Sequence, residues 1–179
     1  MLAVLLMLAQ AAPAAPPKSP TPPFSALVSP TESARYALTH GCLAAVRRKA
    51  KLADTPNAFI LLVDRKRGIY RMNGAGTVLM SDTPPQVGCY MRVMDGDPER
   101  LREMALLLLA TEAPTTPLVD SGPGSRDSVG SFRQESHCVT IGGRRMAVLI
   151  STSSAPRRPK MQLSLVPNAG DACVGNARP

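Results

Sequence analysis

Two stretches of this chain carry the same helix-opening chemistry, and they divide it. Ser29-Pro30-Thr31-Glu32 and Asp97-Pro98-Glu99 each place a capping side chain before a proline and a carboxylate. The cap oxygen accepts from an early backbone N–H. Proline suits the first helical position, where its missing N–H has no intrahelical partner, and the acid complements the positive end of the helix dipole. The first helix is expected to run to about Ala53, with Ala34, Leu38, Cys42, Ala45 and Leu52 on one stripe, broadened by Leu43 and Val46. Arg47, Arg48, Lys49 and Lys51 fall in its last turns, where cations offset the dipole. The second helix has its body from Leu101 to Ala110. It is apolar on nearly all sides from Met104 onward, which predicts a central, buried position.

The segments between and after these helices read as strands bounded by turn residues. Phe59 to Val63 is a buried strand or the end of a short helix, because so short an apolar run has no decisive period. Ile69 to Met72 and Thr77 to Met80 flank the hairpin-type turn Asn73-Gly74-Ala75-Gly76. Pro84-Pro85 breaks the chain before a strand from Cys89 to Met94. Thr115 to Gly130, rich in Pro, Gly and Ser, reads as a long loop. Further strands are expected over Phe132 to Ile141, Arg144 to Thr152 and Lys160 to Val166, with a Gly142-Gly143 turn and a Ser153 to Pro159 loop between them. Strands joined by short turns pair antiparallel. The order helix, strands, helix, strands therefore predicts an α+β fold, a twisted antiparallel sheet with both helices packed on one face.

The two halves, 29–96 and 97–171, rhyme weakly. Val78-Leu79-Met80-Ser81 resembles Val148-Leu149-Ile150-Ser151, and Leu62-Val63-Asp64 resembles Leu118-Val119-Asp120. Each half is then a capped helix followed by three or four strands.

The N-terminus points to export. Residues 1–15 read as a signal peptide: Leu2 to Ala9 is a short apolar run, followed by small residues at the spacing a signal peptidase reads. The run is far below the roughly 20 residues needed to span a bilayer, so no transmembrane span is expected after cleavage. Residues 16–28 form a proline-rich linker expected to be extended and disordered. Residues 29–179 are expected to form one α+β domain. An exported chain with four cysteines is most simply a chain with two disulfides. Cys42 with Cys89 would tie the first helix to its sheet, and Cys138 with Cys173 would pin the tail. Pairing Cys42 with Cys138 or Cys173 is the alternative. The expected location is the periplasm or the extracellular space.

Composition narrows the function. Aromatic content is 3% with no Trp, so the core must be aliphatic and methionine-rich. The same dearth argues against carbohydrate platforms and against base stacking on single-stranded nucleic acid. The formal net charge is +8, which suits acidic partners such as an anionic envelope component. Candidate anion-binding groups are Arg65, Lys66 and Arg67 in one turn, Arg144 and Arg145 at a strand start, and Arg157 and Arg158 before the last strand. Clustering of several of these in space would make an anionic-ligand surface.

Catalytic signatures are lacking. There is no G-x-S-x-G or S-x-x-K serine motif, and Ser121-Gly122-Pro123-Gly124-Ser125 lacks the ending of a phosphate loop. His40 with Cys42 and His137 with Cys138 supply zinc-ligand types, but residues two apart on a helix, or adjacent on a strand, do not point together. No catalytic, cofactor or metal residues are assigned. The expected function is an exported, non-enzymatic binding or envelope-associated domain. The alternatives are a basic surface binding an anionic envelope polymer, lipid or nucleic acid, and a small exported hydrolase with a His-centred site.

Overall fold

The computed structural model describes residues 29–167 except 56, 75, 83–87, 113–115 and 128–129, with the side chains of 116–127 and 130–131 also left aside. The expected signal peptide, the expected proline-rich linker, the Pro84-Pro85 break and Cys173 lie outside the described residues.

Both expected caps form. Ser29 Oγ accepts from the Glu32 N–H at 3.1 Å, and Asp97 Oδ1 accepts from the Arg100 N–H at 2.8 Å. The first helix is α-helical over Pro30–Tyr36, widens to π-type bonding over Ala37–Leu43, and returns to α over Ala44–Arg48. It stops short of the expected Ala53 because Lys49 turns left-handed at φ 53, which lets the Lys49 and Ala50 N–H groups bond back to Val46 and Ala45. Leu52–Asp54 is a separate 3₁₀ turn, anchored where the Leu52 N–H donates to Asp82 Oδ1 at 2.8 Å.

The described residues form eight strands, four after each helix: β1 (Ile60–Asp64), β2 (Ile69–Met72), β3 (Val78–Asp82), β4 (Cys89–Val93), then the second helix (Pro98–Glu112), then β5 (Thr116–Asp127), β6 (Gly130–Ile141), β7 (Arg144–Ser153) and β8 (Met161–Pro167). They form one antiparallel sheet in the order β1-β2-β3-β4-β8-β7-β6-β5. Each half is thus a four-strand meander, and the two meet through their last strands, with Met91 opposite Leu163. The rhyming Val78-Leu79-Met80 and Val148-Leu149-Ile150 occupy the third strand of each meander, with Val78, Met80, Val148 and Ile150 all buried.

The fold is α+β as expected. The first helix packs on β3 and β4, the second on β6, β7 and β8, and the two helices touch. Register places Tyr70, Met80, Met91, Leu163, Ile150 and Glu135 in one row across the sheet beneath them. All six are buried. Methionine takes the space that aromatics fill elsewhere: Met72, Met80, Met91, Met146 and Met161 are each at most 1% exposed. Its unbranched, polarizable side chain adapts to irregular gaps. Each such burial stabilises by about 1.5–3 kcal/mol relative to exposure.

Three sequence expectations need correction. The second helix is not buried all round. Leu101, Ala105 and Leu109 face the core, while Leu107 is 69% exposed, because the helix covers one face of the sheet and the described residues form no layer above it. Residues 116–127 are not a loop but the edge strand β5. Irregularities at Pro117/Val119, Asp120/Pro123 and Gly124/Asp127 fit Pro and Gly into its pairing with β6, and an edge strand tolerates prolines that a central one would not. The apolar run before Asp64 is a strand, but it is not buried. Phe59 is buried, whereas Leu61, Leu62 and Val63 stand on the other edge of the sheet.

Cys42 in the first helix is bonded to Cys89 in β4, with Cα atoms 5.3 Å apart. Cys138 is also disulfide-bonded, and Cys173, its expected partner, lies outside the described residues. Among the described residues no helix is long and apolar enough to cross a membrane.

The β6–β7 turn is a two-residue loop with φ 56 at Gly142 and φ 73 at Gly143, the type I′ geometry that fits strand twist. It also touches the first helix: a Cβ on Gly142 would lie 3.0 Å from both Cα and O of Arg47. Gly142→Ala is therefore expected to destabilise by about 1–3 kcal/mol through the left-handed backbone alone, and by more through backbone contact that no rotamer relieves. Gly143, equally left-handed but with nothing within 4 Å, is the control. Urea unfolding of the two variants should rank them in that order.

Candidate functional site

The register puts two basic turns at one end of the sheet. Arg65, Lys66 and Arg67 form the β1–β2 turn, and Arg144 and Arg145 leave the β6–β7 turn. Asp64 makes the first turn rigid: its Oδ1 accepts from the Lys66 and Arg67 N–H groups at 3.0 and 3.1 Å. The end of the first helix fills the space between the two turns. Arg47 lies against Gly142, and the chain then crosses the sheet end until Leu52 is tied to Asp82 of β3. Arg48, Lys49 and Lys51, all exposed, lie on that crossing.

The result is a basic strip built from three segments distant in sequence. Between β2 and β7 it crosses four strand spacings, roughly 20 Å at ~4.8 Å each. The nearby carboxylates are largely engaged. Asp64 serves its turn, Asp82 holds Leu52, and Glu112 holds Arg47 in a forked pair, with Arg47 Nε 2.8 Å from Oε2. The hydrogen bond to Glu112 raises the Arg47 pKa, so this guanidinium is both permanently charged and already partnered. Asp54 is exposed. Burial and the charges of Asp82 and Asp54 raise the pKa of the Tyr70 hydroxyl behind the strip.

The remaining candidates sit elsewhere. Arg157 and Arg158 lie in the β7–β8 loop at the opposite end of the sheet, where Lys160 is folded onto its own loop through Ser154 and Ala155 carbonyls at 3.3 and 2.9 Å. The expected clustering thus includes Arg65, Lys66, Arg67, Arg144 and Arg145 and leaves out Arg157 and Arg158. The helix-end cations, explained from sequence by the dipole alone, complete the strip. Nothing local in the sequence marks that role, because it depends on where the helix ends relative to two hairpins.

Sequence reasoning also missed a buried ionic cluster. Glu135 of β6, 3% exposed, receives two hydrogen bonds from Arg102 of the second helix, at 2.6 and 2.8 Å. Arg133 approaches it at 3.8 Å, and His137 Nε2 lies 3.5 Å away. Both ring nitrogens of His137 are buried, with no hydrogen-bond partner among the described residues. This cluster takes the place that Tyr70 and Met72 hold in the first meander, where β2 faces the helices.

Two of the surface hollows among the described residues bear on catalysis. One, about 120 Å³, opens on the face of the sheet away from the helices and is lined by Ile69, Leu79, Met80, Ser81, Tyr90 and Arg92. Tyr90 donates to Gln162 Oε1 at 2.7 Å and accepts from Arg92 at 3.0 Å. The other, about 300 Å³, lies against the outer side of the first helix and includes Glu32, Tyr36, His40 and Leu108. Eight helical residues put Glu32 and His40 roughly 12 Å apart along the axis. Glu32 is also engaged with Ser29, so the pair is not a catalytic dyad. Cys42, whose sulfur is bound to Cys89, is not available as a metal ligand or nucleophile.

Comparison with known protein families, with curated proteins and with solved structures returns no match.

Proposed function

We propose that this chain is an exported binding domain whose basic strip takes an extended polyanion, a phosphate- or carboxylate-bearing polymer of the cell envelope. The observation that carries this reading is the convergence of Arg48, Lys49 and Lys51 with the Arg65–Arg67 and Arg144–Arg145 turns at one end of the sheet. Charge spread over roughly 20 Å of strand spacings suits a polymer, which meets several cations at once, better than a single small anion. Export is supported by the N-terminal apolar run and by the Cys42–Cys89 bridge, which an oxidising compartment maintains.

Polyphosphate is the probe. Affinity is expected to fall at least tenfold in Arg144→Glu/Arg145→Glu, a pair of substitutions at a strand start with little effect on the thermal midpoint. It should also fall steeply as salt rises, because exposed charges are screened within about 10 Å at 0.1 M. Binding unchanged by both treatments would overturn the reading. Attachment to phosphatidylglycerol vesicles with the same sensitivity, and none to polyphosphate, would assign the strip to a lipid surface instead.

A further inference from the structure

Among the described residues β1 ends the sheet on one side, so one row of its backbone N–H and C=O groups faces away from β2. Exposed edges of this kind are normally blunted by proline, by lysine, by a bulge or by a covering loop, and β1 has a register shift between Leu62 and Asp64. This one carries Ile60-Leu61-Leu62-Val63, with Leu61 50%, Leu62 48% and Val63 54% exposed. Register points Leu61, opposite Arg71, to the open face of the sheet and Leu62, opposite Tyr70, to the helix side. Apolar surface is thus offered on both faces of the same edge. At its C-terminal end the edge runs into Arg65, Lys66 and Arg67, all exposed, while Asp64 is turned inward onto that turn.

We infer that β1 is a docking edge for an extended apolar segment of a second protein, pairing antiparallel and carrying carboxylates on the N-terminal side of its paired residues. Antiparallel pairing is the mode of every strand pair in this sheet. It would bring the N-terminal side of the guest to the Arg65–Arg67 turn, where charge complementarity sets direction. Main-chain hydrogen bonds supply affinity in this mode of recognition, and alternate side chains supply specificity.

A second copy fits less well. Two β1 edges meeting antiparallel would place each basic turn beside Asn57 and Ala58, which offer no carboxylate, in a chain of net charge +8. Three half-exposed aliphatic side chains also offer far less than the ~800 Å² per partner of a standard interface. A short guest strand, held mainly through its backbone, does not need that area.

The test uses three fluorescein-labelled, end-blocked peptides. The first is Asp-Asp-Asp-Val-Thr-Val-Ile-Val, the second has lysines in place of the aspartates, and the third has the aspartates at the other end. Fluorescence anisotropy should show the first binding at least tenfold more tightly than the other two. Leu62→Lys should weaken it at least tenfold with an unchanged thermal midpoint, and Val63→Lys, at the most exposed position, serves if Leu62→Lys misfolds. Arg65→Glu/Lys66→Glu/Arg67→Glu should reverse the preference between the first two peptides. Equal binding to wild type and Leu62→Lys, or no binding, overturns the assignment. So does a concentration-dependent dimer, or vesicle attachment, that Leu62→Lys abolishes. Arg144→Glu/Arg145→Glu, which tests the basic strip, should leave peptide binding unchanged.

Discussion

Cys42→Ala/Cys89→Ala is expected to lower stability by about 3–4 kcal/mol, read as a fall in the urea midpoint with a steeper slope, because the unfolded chain without the bridge is less compact. The bridge closes a sequence separation of 47 residues. In the chain-entropy account such a loop falls between the ~3 kcal/mol of a 15-residue loop and the ~4.7 of a 100-residue one. Those residues span the return from the first helix and all of β1 to β3, so without the bridge the unfolded state gains freedom over much of the first half. Alanine is the right replacement because both sulfurs are fully buried, where a serine hydroxyl would need a partner. A loss below about 1 kcal/mol would mean that packing of the helix on β4 holds this half without the staple.

Arg102→Ala is expected to cost about 3–5 kcal/mol, the range for breaking one partner out of a buried ion pair. The loss comes less from the attraction forgone than from what remains: Glu135, 3% exposed, is left among the described residues with Arg133 and His137 at 3.8 and 3.5 Å. Neither replaces a forked guanidinium. Arg102→Met/Glu135→Met removes both charges and should recover most of the loss, since buried ion pairs replaced by apolar groups of similar volume are often neutral. A double variant as unstable as Arg102→Ala alone would place the cost in the packing of the Arg102 stem. The pair fastens the second helix to β6 at the end of the core row that begins with Tyr70.

Much of the scaffold was legible in the residues. The caps at Ser29 and Asp97 carry local chemistry that works wherever the helix sits. The continuous apolar runs Val78 to Met80 and Met146 to Ile150, bounded by turn residues, are a local pattern too, as is the demand of Gly142 and Gly143 for positive φ. The residues 116–127 were not legible as a strand, because their Pro and Gly content opposes one locally. β6 imposes the pairing, and bulges accommodate the misfits. The buried Glu135 was equally hidden. A carboxylate on a strand reads as solvent-facing until a guanidinium from another element is placed above it.

The same division runs through the candidate site. The sequence alone determines the charge excess, the identities of the basic turns, the shortage of aromatics that turns the core over to methionine, and the cysteines that could bridge. Each follows from composition or from contacts within a few residues. Tertiary structure alone decides that the first helix ends against Gly142, that the crossing to Asp82 carries Arg48, Lys49 and Lys51 between two hairpins, and that Arg157 and Arg158 fall at the far end. It also decides that Leu61 to Val63, apolar enough for a core, stand at an edge. Burial and clustering depend on strand order, and strand order is set by pairing between segments that no local pattern relates.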